Sequence, residues 1–301
     1  MLRLAATFCS CLLLMALAKA APVVAGAVSV PFTLCGEMIC LKVRLADGVD
    51  HVLLLDTGNI SSWLMADTAR ALGLKLDPIE QDGKIVPEIF RLGEQTVSLN
   101  GRALSGSFLA FGREQTGKLP KEVEGAIAYT LFKNKVLQLD YPHLTVRVLD
   151  AQVDPSAASG AELKLITFGK QGPPIVVGAG FSVNGREVNA QIDTCYTGTL
   201  LIYDAAITGL QLQSAAAHAR PKYFPYTDGG VNMNEAAVAN IAFGRYVLAR
   251  RHATVYFSGT GKNPVHQPDG LFEATAGNAL FTHSVVTLDF QAMKIRLQPG
   301  L

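Results

Sequence analysis

Two aspartates, Asp56 and Asp193, each close an apolar run, precede a threonine, and stand 137 residues apart. The first copy reads Leu53-Leu54-Leu55-Asp56-Thr57-Gly58 and the second Ala190-Gln191-Ile192-Asp193-Thr194-Cys195. Gly48 and Gly185, Leu64 and Leu201, and Asp67 and Asp204 keep the same offset. A doubled half-site around an ionisable residue implies one chemical site assembled from two halves. Carboxylates brought within ~3 Å repel by roughly 5 kcal/mol at an effective dielectric near 20. Such a pair holds a single proton over a wide pH range and titrates as a unit. One member can then take a proton from water while the other gives one to an amide oxygen, which is hydrolysis without a covalent intermediate.

The elements that must carry these aspartates are short strands. Segments rich in Val, Ile, Leu, Phe and Thr alternate with turn signals. Asp47-Gly48, Asn100-Gly101 and Asn184-Gly185 mark hairpins, and Asp228-Gly229-Gly230 marks a further hairpin tip. Helices are predicted only over Asp67–Leu72, stopped at Gly73, and Asp204–Thr208, stopped at Gly209. Their acids Asp67 and Asp204 suit helix N-terminal positions. The repeat continues downstream. Leu131-Phe132 and Val136 to Tyr141 match Leu280-Phe281 and Val285 to Phe290, now at an offset of 149. That growth implies insertions in the second half, one expected near Glu273 to Ala276. Asp140 and Asp289 fall at matching strand ends and read as structural. The fold class is all-β, in two similar lobes with a few short helices. Residues 21–154 form the first lobe, 155–160 a small-residue linker and 161–301 the second.

On these residues the chain resembles the pepsin/retropepsin superfamily of aspartic proteases. Asp56-Thr57-Gly58-Asn59-Ile60-Ser61-Ser62-Trp63-Leu64 is similar to the first active-site loop of pepsin-like enzymes, Trp63 included, and Trp63 itself reads as a core residue. The resemblance implies two β lobes with the site in the cleft between them. It assigns Asp56 and Asp193 as catalytic, with Thr57, Gly58, Thr194 and Cys195 as supporting residues, and implies that Thr57 and Thr194 cross-bond the two loops. It implies a peptide or protein substrate bound as an extended strand, and no cofactor. Three departures stand out. Cys195 occupies a position where the family has glycine, and a left-handed backbone there would strain it. Tyr196-Thr197-Gly198-Thr199 fits neither parent pattern. The first-lobe flap, about residues 84–100, has no tyrosine, which leaves Phe90 or Leu92 to cover the cleft.

Composition bounds the rest. Hydrophobic residues at 49% and charged residues at 17% suffice for a large core and exclude bulk disorder. Residues 1–20 read as a signal peptide, with Arg3, the apolar stretch Leu4 to Leu17 and Ala18-Lys19-Ala20 as the cleavage site. The expected destination is periplasmic or secreted, with no membrane span after cleavage. Cleavage removes Arg3 and Lys19 and no acid, so 26 basic side chains become 24 against 25 acidic ones. A near-neutral chain without a basic run argues against a nucleic-acid partner. Cys35, Cys40 and Cys195 remain. Cys35 and Cys40 can bond if the segment between them folds as a hairpin, and cannot if it is one straight strand. The six histidines form no pair or Cys/His cluster, so a metal site is not expected. Gly259-Thr260-Gly261-Lys262 lacks the glycine spacing of a phosphate loop. A single chain with both half-sites needs no partner copy, so a monomer is expected. The second reading, motivated by Cys195, is a degenerate protease fold retained as an exported peptide-binding or scaffold protein.

Overall fold

The structure is a computed structural model that describes residues 27–150, 159–167, 174–225, 230–258 and 270–299. The predicted signal peptide, most of the predicted linker, the Asp228-Gly229 turn and the Gly259–Lys262 loop lie outside them. Ser159 and Gly160, assigned to the linker, already belong to the strand Ser159–Thr167. The architecture is mostly β-sheet, about 60% strand and 9% helix, as a bilobal pepsin-like all-β fold.

A six-stranded antiparallel sheet underlies both halves. Its spatial order is Val28–Cys35, Thr145–Leu149, Val136–Asp140, Ser284–Asp289, Lys294–Pro299 and Ser159–Thr167. Each half contributes its last two strands to the centre, where Leu137 faces Leu288 and Leu139 faces Val286. All four of these side chains are buried. At matching turns after these strands, Asp140 accepts the His143 N–H at 3.2 Å and Asp289 accepts the Ala292 N–H at 2.8 Å. Asp289 is fully buried and also meets the Arg296 guanidinium at 3.3 Å. Both aspartates are structural, as their sequence positions implied.

Above that sheet each half repeats one crossing. The strand Asp50–Asp56 runs parallel to Gly125–Ala128, setting Asp56 beside Ala128. The strand Arg186–Asp193 runs parallel to Ala274–Gly277, setting Asp193 beside Gly277. Leu53, Leu54 and Leu55 are all buried because this strand is covered on both faces. The hairpins use the expected chemistry. Asn100-Gly101 and Asn184-Gly185 both take left-handed conformations at each residue, as a tight two-residue hairpin requires. A turn the sequence left open, Gly36-Glu37, is built the same way.

Helices form at Ala66–Ala71 and Asp204–Ile207, close to prediction, and Gln213–Ala217 adds a third that the sequence reading missed. That helix corrects the placement of the added length. Residues 273–276 are no insertion. The Glu124 N–H donates to the Val52 carbonyl at 2.9 Å while its carboxylate accepts the Val52 N–H at 3.3 Å. Glu273 does the same to Asn189, at 3.0 and 2.8 Å. The two glutamates are counterparts, and extra residues enter earlier, where Gln213–Ala217 has no first-half equivalent among the described residues.

In the first half Glu124 has another partner. His51 sits between Glu124 and Asp47, with nitrogen–oxygen distances of 3.2 and 3.1 Å. Burial disfavours its cation, but hydrogen bonds and charges from both carboxylates outweigh that and raise its pKa above the ordinary 6.5. A cation favoured by the fold stabilises it below the unfolded pKa and loses that effect as pH rises through the raised value. Thermal denaturation should therefore show the wild-type chain more stable than His51→Gln near pH 5, by about 1 kcal/mol or less, with the gap closing near pH 9. A gap independent of pH would refute the ion-pair account.

Candidate functional site

Asp56 and Asp193 terminate their strands at the same end of the molecule, and the chain turns sharply after each. One carboxylate oxygen of each and the Cys195 sulfur all lie within 4.8 Å of one another. The threonines that follow hold this arrangement. The Thr57 N–H donates to the Thr194 hydroxyl oxygen at 3.1 Å, and the Thr194 N–H donates to the Thr57 hydroxyl oxygen at 3.2 Å. The Thr57 hydroxyl donates to the Ile192 carbonyl at 2.9 Å, and the Thr194 hydroxyl to the Leu55 carbonyl at 2.5 Å. Both threonines are almost wholly buried. Each hydroxyl is therefore donor and acceptor at once, and each loop is fixed by the backbone of the other half. In a site closed to water such neutral bonds keep most of their strength.

The carboxylates are polarised by their own loops. Asp56 accepts the Gly58 N–H at 3.1 Å and is hydrogen-bonded by Asn59. Asp193 accepts the N–H groups of Cys195 and Tyr196, at 2.8 and 3.1 Å, on one oxygen. Desolvation first, and then the Asp193 charge, pushes the Asp56 pKa up to about 8. One proton is thus retained between the pair at neutral pH.

Gly58 is required by close approach. A Cβ there would lie 2.4 Å from the carboxyl carbon of Asp193, inside any real contact. Cys195 holds the symmetric position without the expected strain, since it is not among the residues with positive φ. Its thiol donates to the Leu55 carbonyl at 3.6 Å. Burial, then the charges of Asp56 and Asp193, keep its pKa well above the ordinary thiol value. It is a neutral filler of the floor of the site and a poor nucleophile. The irregular loop after it is built around Tyr196, whose ring is buried against Phe224 and Tyr256. A Cβ at Gly198 would meet the Tyr196 hydroxyl oxygen at 2.2 Å, and one at Gly277 its ring at 2.4 Å.

A cavity of about 280 Å³ opens on the two aspartates. Its apolar wall is Met38, Leu54, Trp63, Phe111 and Leu119. Phe90 and Leu92, assigned from the sequence to cover the cleft, instead pack against the main hydrophobic core and do not line this cavity. The reason is register. They sit where the strand Lys84–Leu99 pairs with Arg102–Phe111, well down from the Asp82-Gly83 turn at its free end. Trp63, read as a core residue, is both 6% exposed and part of the cavity wall. A larger groove of about 480 Å³ lies elsewhere on the first half, lined by Phe32, Leu41 and the ionisable Lys42, Arg44 and Asp50, of which Arg44 and Asp50 pair with each other at 3.1 Å. Cys35 and Cys40 are bonded, with Cα atoms 5.9 Å apart across the hairpin. Gln191 was not foreseen. Its side-chain amide donates to the Gly58 carbonyl at 2.9 Å, and its only sequence signal was a polar residue where the first copy has Leu54. Asp56, Asp193 and Cys195 could offer three atoms to a cation only if Asp56 and Cys195 gave up protons that desolvation favours.

No protein-family model matches the sequence, and no curated protein matches it. Among solved structures, the fold resembles an aspartic proteinase from Irpex lacteus, with TM-score 0.52, 13% identity, and coverage of 91% of this chain and 98% of that one. A basic 7S globulin from soybean (TM-score 0.48, 10% identity) and conglutin gamma, a basic 7S globulin from lupine seeds (TM-score 0.49, 11% identity), also align, each over 91% of this chain and 95% of its own. The first of these likenesses shows that the chain has the aspartic-proteinase fold.

The buried, raised Asp56 has a measurable thermodynamic consequence. Because its folded pKa exceeds the unfolded value, the stability it contributes falls as pH rises from about 4 to about 8. Asp56→Asn removes that loss. Denaturant titrations should find the variant more stable than wild type at pH 7, by roughly a few kcal/mol, and equal to it near pH 3. Equal stability at both pH values would show that Asp56 is not held protonated.

Proposed function

We propose that this protein is an aspartic endopeptidase, hydrolysing peptide bonds with a water activated between Asp56 and Asp193. The observation that carries the reading is the pair itself: two carboxylates from equivalent strand ends, within 4.8 Å, braced by reciprocal threonine bonds and sharing a proton. The ionised member takes a proton from the water as its oxygen attacks the scissile carbonyl. The protonated member donates to the carbonyl oxygen, giving a tetrahedral gem-diol. Proton transfer to the amide nitrogen then releases the two products. Thr57 and Thr194 hold the carboxylates in place, Gly58 lets the halves approach, and Cys195 closes the floor. The apolar cavity wall receives a substrate side chain.

The proposal includes the wider organisation read from the sequence. Residues 1–20 direct export to a periplasmic or extracellular space. The lobes run over about 21–154 and 161–301, and the mature chain acts as a monomer on peptide or protein. No helix among the described residues is long and apolar enough to cross a membrane.

A second reading, an exported peptide-binding protein without turnover, is favoured by one observation: Cys195 puts a side chain where the first loop tolerates none. The two readings separate on purified mature chain with an unfolded protein substrate. Under the first, hydrolysis persists from acid through neutral pH and falls as pH passes about 8, where the shared proton is lost. Asp56→Asn should reduce kcat by at least about a thousandfold with substrate binding retained. Cleavage by that variant at the wild-type rate would refute the role of Asp56. Binding without turnover in wild type, with turnover appearing in Cys195→Gly, would establish the second reading.

A further inference from the structure

The hairpin that carries Cys35 and Cys40 reaches into the other half. At its tip the Glu37 carbonyl accepts a hydrogen bond from the Asn278 side-chain amide at 2.5 Å. Asn278 is buried, accepts from the Tyr141 hydroxyl at 2.6 Å, and donates its N–H to the Tyr196 carbonyl at 2.7 Å. Tyr196 in turn donates its own N–H to Asp193. A mirror clasp exists, in which the Tyr129 hydroxyl donates to the Pro174 carbonyl at 2.7 Å. Glu37 and Pro174 keep the 137-residue offset, but the clasps are not equal. A disulfide closes the first tip, while the same offset in sequence gives Gly172, which lies outside the described residues, and Val177.

What the closed tip holds is Met38. It follows Glu37, is 1% exposed, and lines the cavity at the aspartates. It packs in one cluster with Cys35, Cys40, Leu54 and Trp63. Cys40 is the strand partner of Leu54, another wall residue, two positions before Asp56. An unbranched thioether on a free turn adapts to whatever it meets. Here the bridge constrains the turn that carries Met38, and the clasp fixes that turn to the opposite half.

We propose that the disulfide-closed turn is the specificity-determining element of this cavity, fixing Met38 as the wall that limits the size of the side chain seated beside the two aspartates. This rests on the peptide-hydrolysis reading for its turnover, and not for its binding. Trp63, the single tryptophan, lines the same cavity and reports occupancy by fluorescence.

The test compares the full oxidised chain with Met38→Ala and with Cys35→Ser/Cys40→Ser. The probes are peptides identical except for Ala, Leu or Phe at the residue preceding the scissile bond. Both kcat/KM and the Trp63-detected Kd are measured. In Met38→Ala the preference for Phe over Leu should rise about tenfold, the scale of a methylene-sized change in an apolar pocket. The double-serine variant should shift the same way by less, because Met38 remains but is no longer held. Met38→Val supplies the comparison if the alanine variant is unfolded. If wild type binds peptides but cleaves none, the hydrolase reading fails, and the shift in Kd ranking alone sustains the role of Met38. A folded Met38 variant with unchanged ranking, or peptides that never perturb Trp63, would overturn it.

Discussion

Everything at this site depends on holding two carboxylates together in a partly desolvated pocket. The Thr57–Thr194 network supplies the force. Four neutral hydrogen bonds, all between the two halves and all buried, oppose the separation that repulsion would favour. The bonds are reciprocal, so neither loop can move without breaking contacts to the other backbone. A shared proton removes most of the remaining repulsion. The cost appears as a raised Asp56 pKa, which means the fold tolerates the pair only in its partly protonated form.

The molecule is a duplicated design whose symmetry is broken where chemistry or packing needs it. Gly58 has no side chain because Asp193 occupies the space. Cys195 fills the opposite position with a neutral thiol against the Leu55 carbonyl. Leu54 is apolar and lines the cavity, whereas Gln191 ties the second half to the Gly58 carbonyl. Asn59 supports Asp56 through its side chain, whereas Tyr196 supports Asp193 through its backbone N–H and places its ring in an aromatic cluster. The two carboxylates are thus equivalent in placement and unequal in environment.

Much of this was legible in residue order. Apolar runs ending in Asp-Thr showed where the strands stop, because three consecutive buried leucines need covering on both faces. Asn-Gly pairs located hairpins through their need for left-handed backbone. The misreadings share a cause. Phe90 and Leu92 were assigned to the cleft because composition cannot show strand register, and register sends them to the core. The repeat's offset suggests an insertion near Glu273, but an offset gives total added length and not its location. Trp63 is buried as its type implies, and sequence cannot reveal that a core side chain also forms the wall of a cavity.

By itself the sequence determined the class of the fold, the duplicated half-sites and the identity of the two carboxylates, since strand periodicity, turn chemistry and the repeated motif are local properties. Tertiary structure alone decided how near the carboxylates stand, that Cys195 is unstrained and protonated, that Cys35 meets Cys40, and that Glu37 is clasped by Asn278. Each of these is a contact between segments far apart in the chain or across a turn whose geometry was open. Such contacts follow from how the halves pack, which no local pattern encodes.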